Sequence, residues 1–116
     1  MSSTGDALRR GAELFDAGRH LEAHETWEEA WREEARGSSR SKLLQGLAQC
    51  AAALIKLERG EMRGARSLAL KGSLLVEQAC IDAGSEAHGL ALIEFARDMR
   101  SMPNALPKLR RKSADC

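Results

Sequence analysis

Residues 20–31 read HLEAHETWEEAW. Twelve residues hold two histidines, four glutamates and two tryptophans, so the stretch is either a compact cluster of ligands or one amphipathic helix. On a helix, residues three and four apart share a face. His24, Glu28 and Trp31 then line up, with His20, Ala23, Trp27 and Ala30 one step round. Glu22, Glu29 and Glu33 fall on the far side, where Glu29 and Glu33 meet Arg32 and Arg36 at helical spacings. The tryptophans are expected in the core, the outer glutamates in water, and His24 and Glu28 at the border. The spacing predicts a helix from about His20 to Ala35.

The rest of the chain agrees with a helical reading. Among 116 residues there are one Val, three Ile, two Thr and no Tyr, against 19 Ala and 16 Leu. Strands favour β-branched and aromatic side chains, whereas helices favour Ala, Leu, Glu, Arg and Lys. An all-α fold follows, and the length suits one domain. Ser3 and Asp6 suit the start of a first helix that reaches about Ala17 and stops at Gly18. After the loop Arg36-Gly37-Ser38-Ser39, whose serines suit capping, a third helix runs from about Arg40 to Arg59 and stops at Gly60. A fourth spans about Glu61 to Asp82, and a fifth about Glu86 to Met102, before Pro103 and Pro107 end regular structure. Residues 1–102 are expected to form one helical bundle and residues 103–116 a mobile basic tail.

The helical faces carry further expectations. Ala65, Leu68, Ala69, Gly72, Leu75, Val76 and Ala79 recur at spacings of three and four and form the main face of helix 4. Gly64, Ala65 and Gly72 leave little side chain there, so another helix is expected to approach closely. Leu70, Leu74 and Ile81 form a second stripe, which either meets another element of the fold or makes a homo-oligomer or other protein contact. Leu92, Phe95, Met99 and Met102 make a core stripe on helix 5.

Charge selects no partner, since the chain sums to +1. Lys108, Arg110, Arg111 and Lys112 lie near the end, yet this tail has no aromatic residue to stack on bases and no helix-turn-helix context. Nucleic acid is not the expected partner. No stretch approaches membrane-spanning length, and no N-terminal apolar run resembles a signal peptide. With three cysteines and no C-x-x-C pair, a cytoplasmic protein with reduced thiols is expected. Cys50 and Cys80 read as small core residues, and Cys116 as exposed.

No complete catalytic motif is present. The sequence His24-Glu25-Thr26-Trp27-Glu28 lacks the second histidine of a His-Glu-x-x-His zinc site. Residues three before His20, His24 and His88 are Ala17, Leu21 and Ser85, so the Glu-x-x-His of di-iron bundles is missing. Gly60-Glu61-Met62-Arg63-Gly64 lacks the ending of a phosphate loop. What remains is a polar cluster: His24, Glu25 and Glu28 with Trp31 on helix 2, and Gln45 and Gln49 on a stripe of helix 3 with Ala52 and Lys56. Two readings stay open. In one, His24, Glu28 and the glutamines satisfy each other and fix helix 2 on helix 3. In the other, His24 and Glu28 hold a metal or small molecule, with a hydrolytic role conceivable for His24 as base. The sequence designates no cofactor.

Leu14 to Ala30, LFDAGRHLEAHETWEEA, resembles one tetratricopeptide turn. Gly60, Ala65 and Ala69 follow the same course 42 residues on, too long a period for a true array. The expected architecture is therefore two antiparallel helical hairpins closed by a fifth helix, with tetratricopeptide-like local packing. Three blocks in order also carry a family likeness: EAHETWEEAW (22–31), LLQGLAQCAAAL (43–54) and RGEMRGA (59–65). With them, the chain resembles the domain-of-unknown-function family 309, over roughly Ala12 to Leu75. The resemblance implies a small all-helical fold and a shared polar constellation, and no established activity. The chain departs from the family pattern at Ile55 and Lys56, where a histidine or tyrosine is frequent, and at Glu61, where Asn is.

Overall fold

The computed structural model describes residues 4–83 and 92–101. Five helices follow in order: α1 (Thr4–Asp16), α2 (His20–Arg32), α3 (Ser39–Glu58), α4 (Met62–Ala83) and α5 (Leu92–Arg100), with no strand among the described residues. The all-α expectation holds.

The two tight turns close in the same way. Gly18 and Gly60 both have φ near +80°, at 84° and 79°, a region that only glycine enters freely. At the first, Gly18 N donates to Phe15 O and Arg19 N to Leu14 O; at the second, Gly60 N donates to Leu57 O and Glu61 N to Lys56 O. Each is a Schellman closure, which satisfies the last helical carbonyls and reverses the chain. The weak internal repeat of the sequence is thus a repeat of turn geometry. α3 starts where the side chain of Ser38 accepts from Ser41 N at 3.1 Å, as the serine signal suggests.

α2 ends three residues short of the expected Ala35. Glu33 is its C-cap, Glu34 N donates back to Trp31 O, and Gly37 turns the chain with φ 78°. Residues 32–36 are four charged side chains and one alanine, so a further helical turn has nothing apolar to bury against α3. The Ser3 cap, the start of the fifth helix before Leu92, Met102 and the basic tail lie outside the described residues.

Sequential helices pack on one another, α3 on α4 most extensively. Side-chain pairs fix their antiparallel sense. Lys42 at the start of α3 bonds Asp82 at the end of α4, and His20 at the start of α2 approaches Glu58 at the end of α3. α5 lies on α4 and touches the first hairpin, where the Phe15 and Phe95 rings meet edge to face at 5.4 Å. Leu8, Phe15, Trp27, Leu44, Leu47, Val76, Leu92, Phe95 and Met99 fill the core.

The α3–α4 crossing depends on the absence of side chains. A Cβ placed on Gly72 would stand 2.7 Å from Gly46 O and 3.0 Å from Cys50 N, and one on Gly46 would stand 2.8 Å from Gly72 O. Backbone therefore meets backbone at this point, and helix 4's small-residue face is directed at α3. Gly46 is the partner glycine that periodicity alone does not single out. Gly64 sits instead beneath the Lys56 stem. Ser73, fully buried, satisfies its hydroxyl by donating to Leu70 O at 2.9 Å, the local back-bond open to serine in helices.

Candidate functional site

α2 presents its histidines to α3 at two levels. His20 is mostly buried, with its ring 5.0 Å from that of Phe15 and its Nδ1 3.4 Å from Glu58 Oε1. One turn on, His24 Nδ1 lies 2.9 Å from the backbone oxygen of Ala48 on α3. A carbonyl oxygen only accepts, so Nδ1 carries the hydrogen and donates it. The carbonyl has a second lone pair, so α3 need not give up a helical bond to take it. Fixing Nδ1 as donor assigns the other nitrogen: in the neutral ring Nε2 presents a lone pair, and it stands 3.5 Å from Glu28 Oε2. Glu28 in turn accepts from Arg32 at 2.8 Å through its other oxygen. The chain of contacts runs from Ala48 through His24 and Glu28 to Arg32.

The structure thus brings His24 and Glu28 together at the α2–α3 border, where both side chains keep some contact with solvent. The glutamines do not join them. Among the described residues neither Gln45 nor Gln49 hydrogen-bonds His24 or Glu28, because the backbone of α3 supplies the acceptor in their place. Gln49 Oε1 is buried without a hydrogen-bond partner. Glu25 is exposed, and Trp31 is half-buried against the core edge, unlike the fully buried Trp27. The Trp27 indole lies over Gly11, where an added Cβ would meet Nε1 at 2.1 Å, and that Nε1 also lacks a partner. Arg32 turns to Glu28 and not to Glu29, and the side chains of Glu25, Glu29 and Glu33 make no hydrogen bond or ion pair among the described residues.

As a metal site this arrangement is incomplete. No group of three or more His, Cys, Asp or Glu side chains converges among the described residues, whereas zinc sites use three or four protein donors. The two described cysteines add no nucleophile. Cys50 and Cys80 are both buried, and burial pushes both thiols up, Cys80 further through the Glu77 and Glu94 carboxylates. Buried thiols of this kind are inert.

A second feature lies on the opposite side of the hairpin. Leu70, Leu74 and Ile81 of α4 are 50%, 52% and 77% exposed. They stand at spacings that place them on one outer stripe. Beside it, a groove of about 400 Å³ between α4 and α5 is lined by Arg66, Ala69, Leu70, Met99 and Arg100. Arg100 is committed there, making a two-pronged pair with Glu77 at 2.5 and 2.8 Å that holds the Glu77 carboxyl below its ordinary range.

Stacked helical hairpins, an anchored His–Glu pair and an exposed aliphatic stripe on α4 define a small all-α protein. The family model described as Domain of unknown function (DUF309) matches residues 8–68. That is more than half of the chain, and the protein belongs to this family. The matched segment includes His24, Glu28, Gln45 and Gln49 and ends before Leu70. No curated protein matches the chain. No described helix is long and apolar enough to cross a membrane.

Proposed function

We infer that the protein is a helical interaction module that associates with further copies of itself through the outer face of α4. The observation that carries this reading is the exposure of Leu70, Leu74 and Ile81 on a helix whose inner face is already filled. Monomeric proteins scatter exposed aliphatics singly, and a contiguous stripe marks a contact surface. The His24–Ala48 bond has a structural role in this account: it fixes α2 on α3 and so sets the frame of the first hairpins. Light scattering tests the reading. The full chain is expected to show a mass above the monomer, and the Leu70→Asp/Leu74→Asp variant the monomer mass with unchanged helical circular dichroism. Equal masses for the two proteins would end it.

A second reading has a specific observation behind it. The Nε2 lone pair of His24 and the Glu28 carboxylate converge at a part-exposed edge, while the buried Gln49 Oε1 lacks a donor. Buried polar atoms normally have partners. A small molecule with a hydrogen-bond donor, or a cation completing its shell with water, would suit His24 and Glu28, with Glu25, Gln45 and Gln49 as further contacts. Elemental analysis and thermal-shift screening of wild type against His24→Ala decide the matter. Equal metal content and equal ligand response in both proteins would sink this alternative.

A further inference from the structure

The outer stripe of α4 is not only apolar. Arg63, Arg66 and Lys71 flank it, all exposed and all without an acidic partner among the described residues. The acids farther along α4 do not neutralise them. Glu77 is held by Arg100, and Asp82 by Lys42 and Gln78. A two-fold pairing of α4 on α4 would therefore bring together three cations from each copy without free counter-charge, and unpaired like charges at an interface oppose association. The chain's own C-terminal segment carries Lys108, Arg110, Arg111 and Lys112, the same sign as the stripe.

The complement is on the opposite hairpin. α2 exposes Glu25 and Glu29, and its C-cap exposes Glu33, the three without partners among the described residues. Leu21, one helical turn before Glu25, is 58% exposed. The distances also agree. Glu25 to Glu33 and Arg63 to Lys71 are each eight residues, about 12 Å at the helical rise of ~1.5 Å per residue. One helix thus offers carboxylates beside a leucine, and the other offers cations beside leucines, over the same length.

We propose that copies of this chain assemble head to tail, the acidic outer face of α2 in one copy seated on the basic, aliphatic outer face of α4 in the next. The proposal rests on the α4 reading above and names what α4 meets. A contact between two different surfaces leaves one of each unused at the ends, so the assembly extends past the dimer or closes into a ring.

Charge reversal tests it on the full chain. Glu25→Lys/Glu29→Lys and Arg66→Glu/Lys71→Glu change only exposed side chains, and circular dichroism checks that both variants fold. Each variant alone is expected to associate at least about tenfold more weakly than wild type in sedimentation velocity, since like charges now face each other. An equimolar mixture of the two is expected to recover association, because each reversed face meets its opposite. If Leu70→Asp/Leu74→Asp dissociates the assembly but the α2 reversal leaves it intact, the head-to-tail contact is overturned and α4 pairs otherwise. A mixture that stays as weakly associated as its components also overturns the proposal. A wild-type chain that sediments only as a monomer overturns the α4 reading itself, and this contact with it.

Discussion

The two faces of α4 divide its residues in an unusual way. Turned inward are Ala65, Ala69, Gly72, Val76 and Ala79, all buried; facing outward are Leu70, Leu74 and Ile81, all half-exposed or more. Size is sorted against burial. The inner face needs small residues because Gly46 and Gly72 bring the two backbones into contact, and interiors at native density leave no room for more. Burial there is governed by fit. The larger aliphatics, each worth about 1.5–3 kcal/mol when fully buried, stay outside, exposed to solvent.

The sharpest way to break this comparison is to add one carbon to the inner face. Gly72→Ala forces a methyl against Gly46 O and Cys50 N, backbone atoms that cannot swing aside. Denaturant melts are expected to show a loss of about 3 kcal/mol; a loss below 0.5 kcal/mol, on the order of a surface change, would mean that the crossing is not tight. A smaller effect is expected at the α2–α3 seam, where a polar contact does the joining. His24→Ala removes the bond to Ala48 O and is expected to cost about 1 kcal/mol, read in the same melts. An unchanged midpoint would show that α2 is held by its apolar face alone.

On the outer face the expected stability change is smaller still. Leu74→Asp should shift the monomer's stability by no more than about 0.5 kcal/mol while lowering the associated mass, so size and stability separate. A variant that unfolds would place Leu74 in the core. The weakest effect is tied to pH. The Arg100 guanidinium holds the Glu77 carboxyl below its ordinary value near 4.5. A carboxylate with a lowered folded pKa contributes stability above its unfolded pKa and loses it as pH falls through the folded one. Arg100→Ala is therefore expected to lower the melting temperature slightly at pH 7, where the pair contributes, and to converge on wild type as pH falls below 4.5, so that its curve falls less steeply there. A parallel downward shift at every pH would assign Arg100 a packing role instead.

Much of this was legible in sequence for identifiable reasons. Helix periodicity placed Trp27 inside and Leu70, Leu74 and Ile81 on a separate stripe, and Gly18 and Gly60 marked turns that only positive φ can make. α2 ends before the expected Ala35 although charged residues 32–36 carry good helix propensity, and nothing in propensity reports the missing tertiary contact. The partner of His24 was hidden for a different reason. Side-chain patterns reveal Gln45 and Gln49, but the acceptor is the main-chain oxygen of Ala48, which every residue possesses and none advertises. Gly46 was equally silent, since a single glycine within a leucine-rich helix looks like a gap until the facing Gly72 is seen.

Sedimentation equilibrium of the unmodified chain across a concentration series reaches the central claim most directly. A covered α4 stripe predicts a weight-average mass that rises with concentration above the 12.7 kDa of one chain, and falls back toward it in high salt as the charges are screened. A mass that stays at 12.7 kDa throughout the series would contradict it.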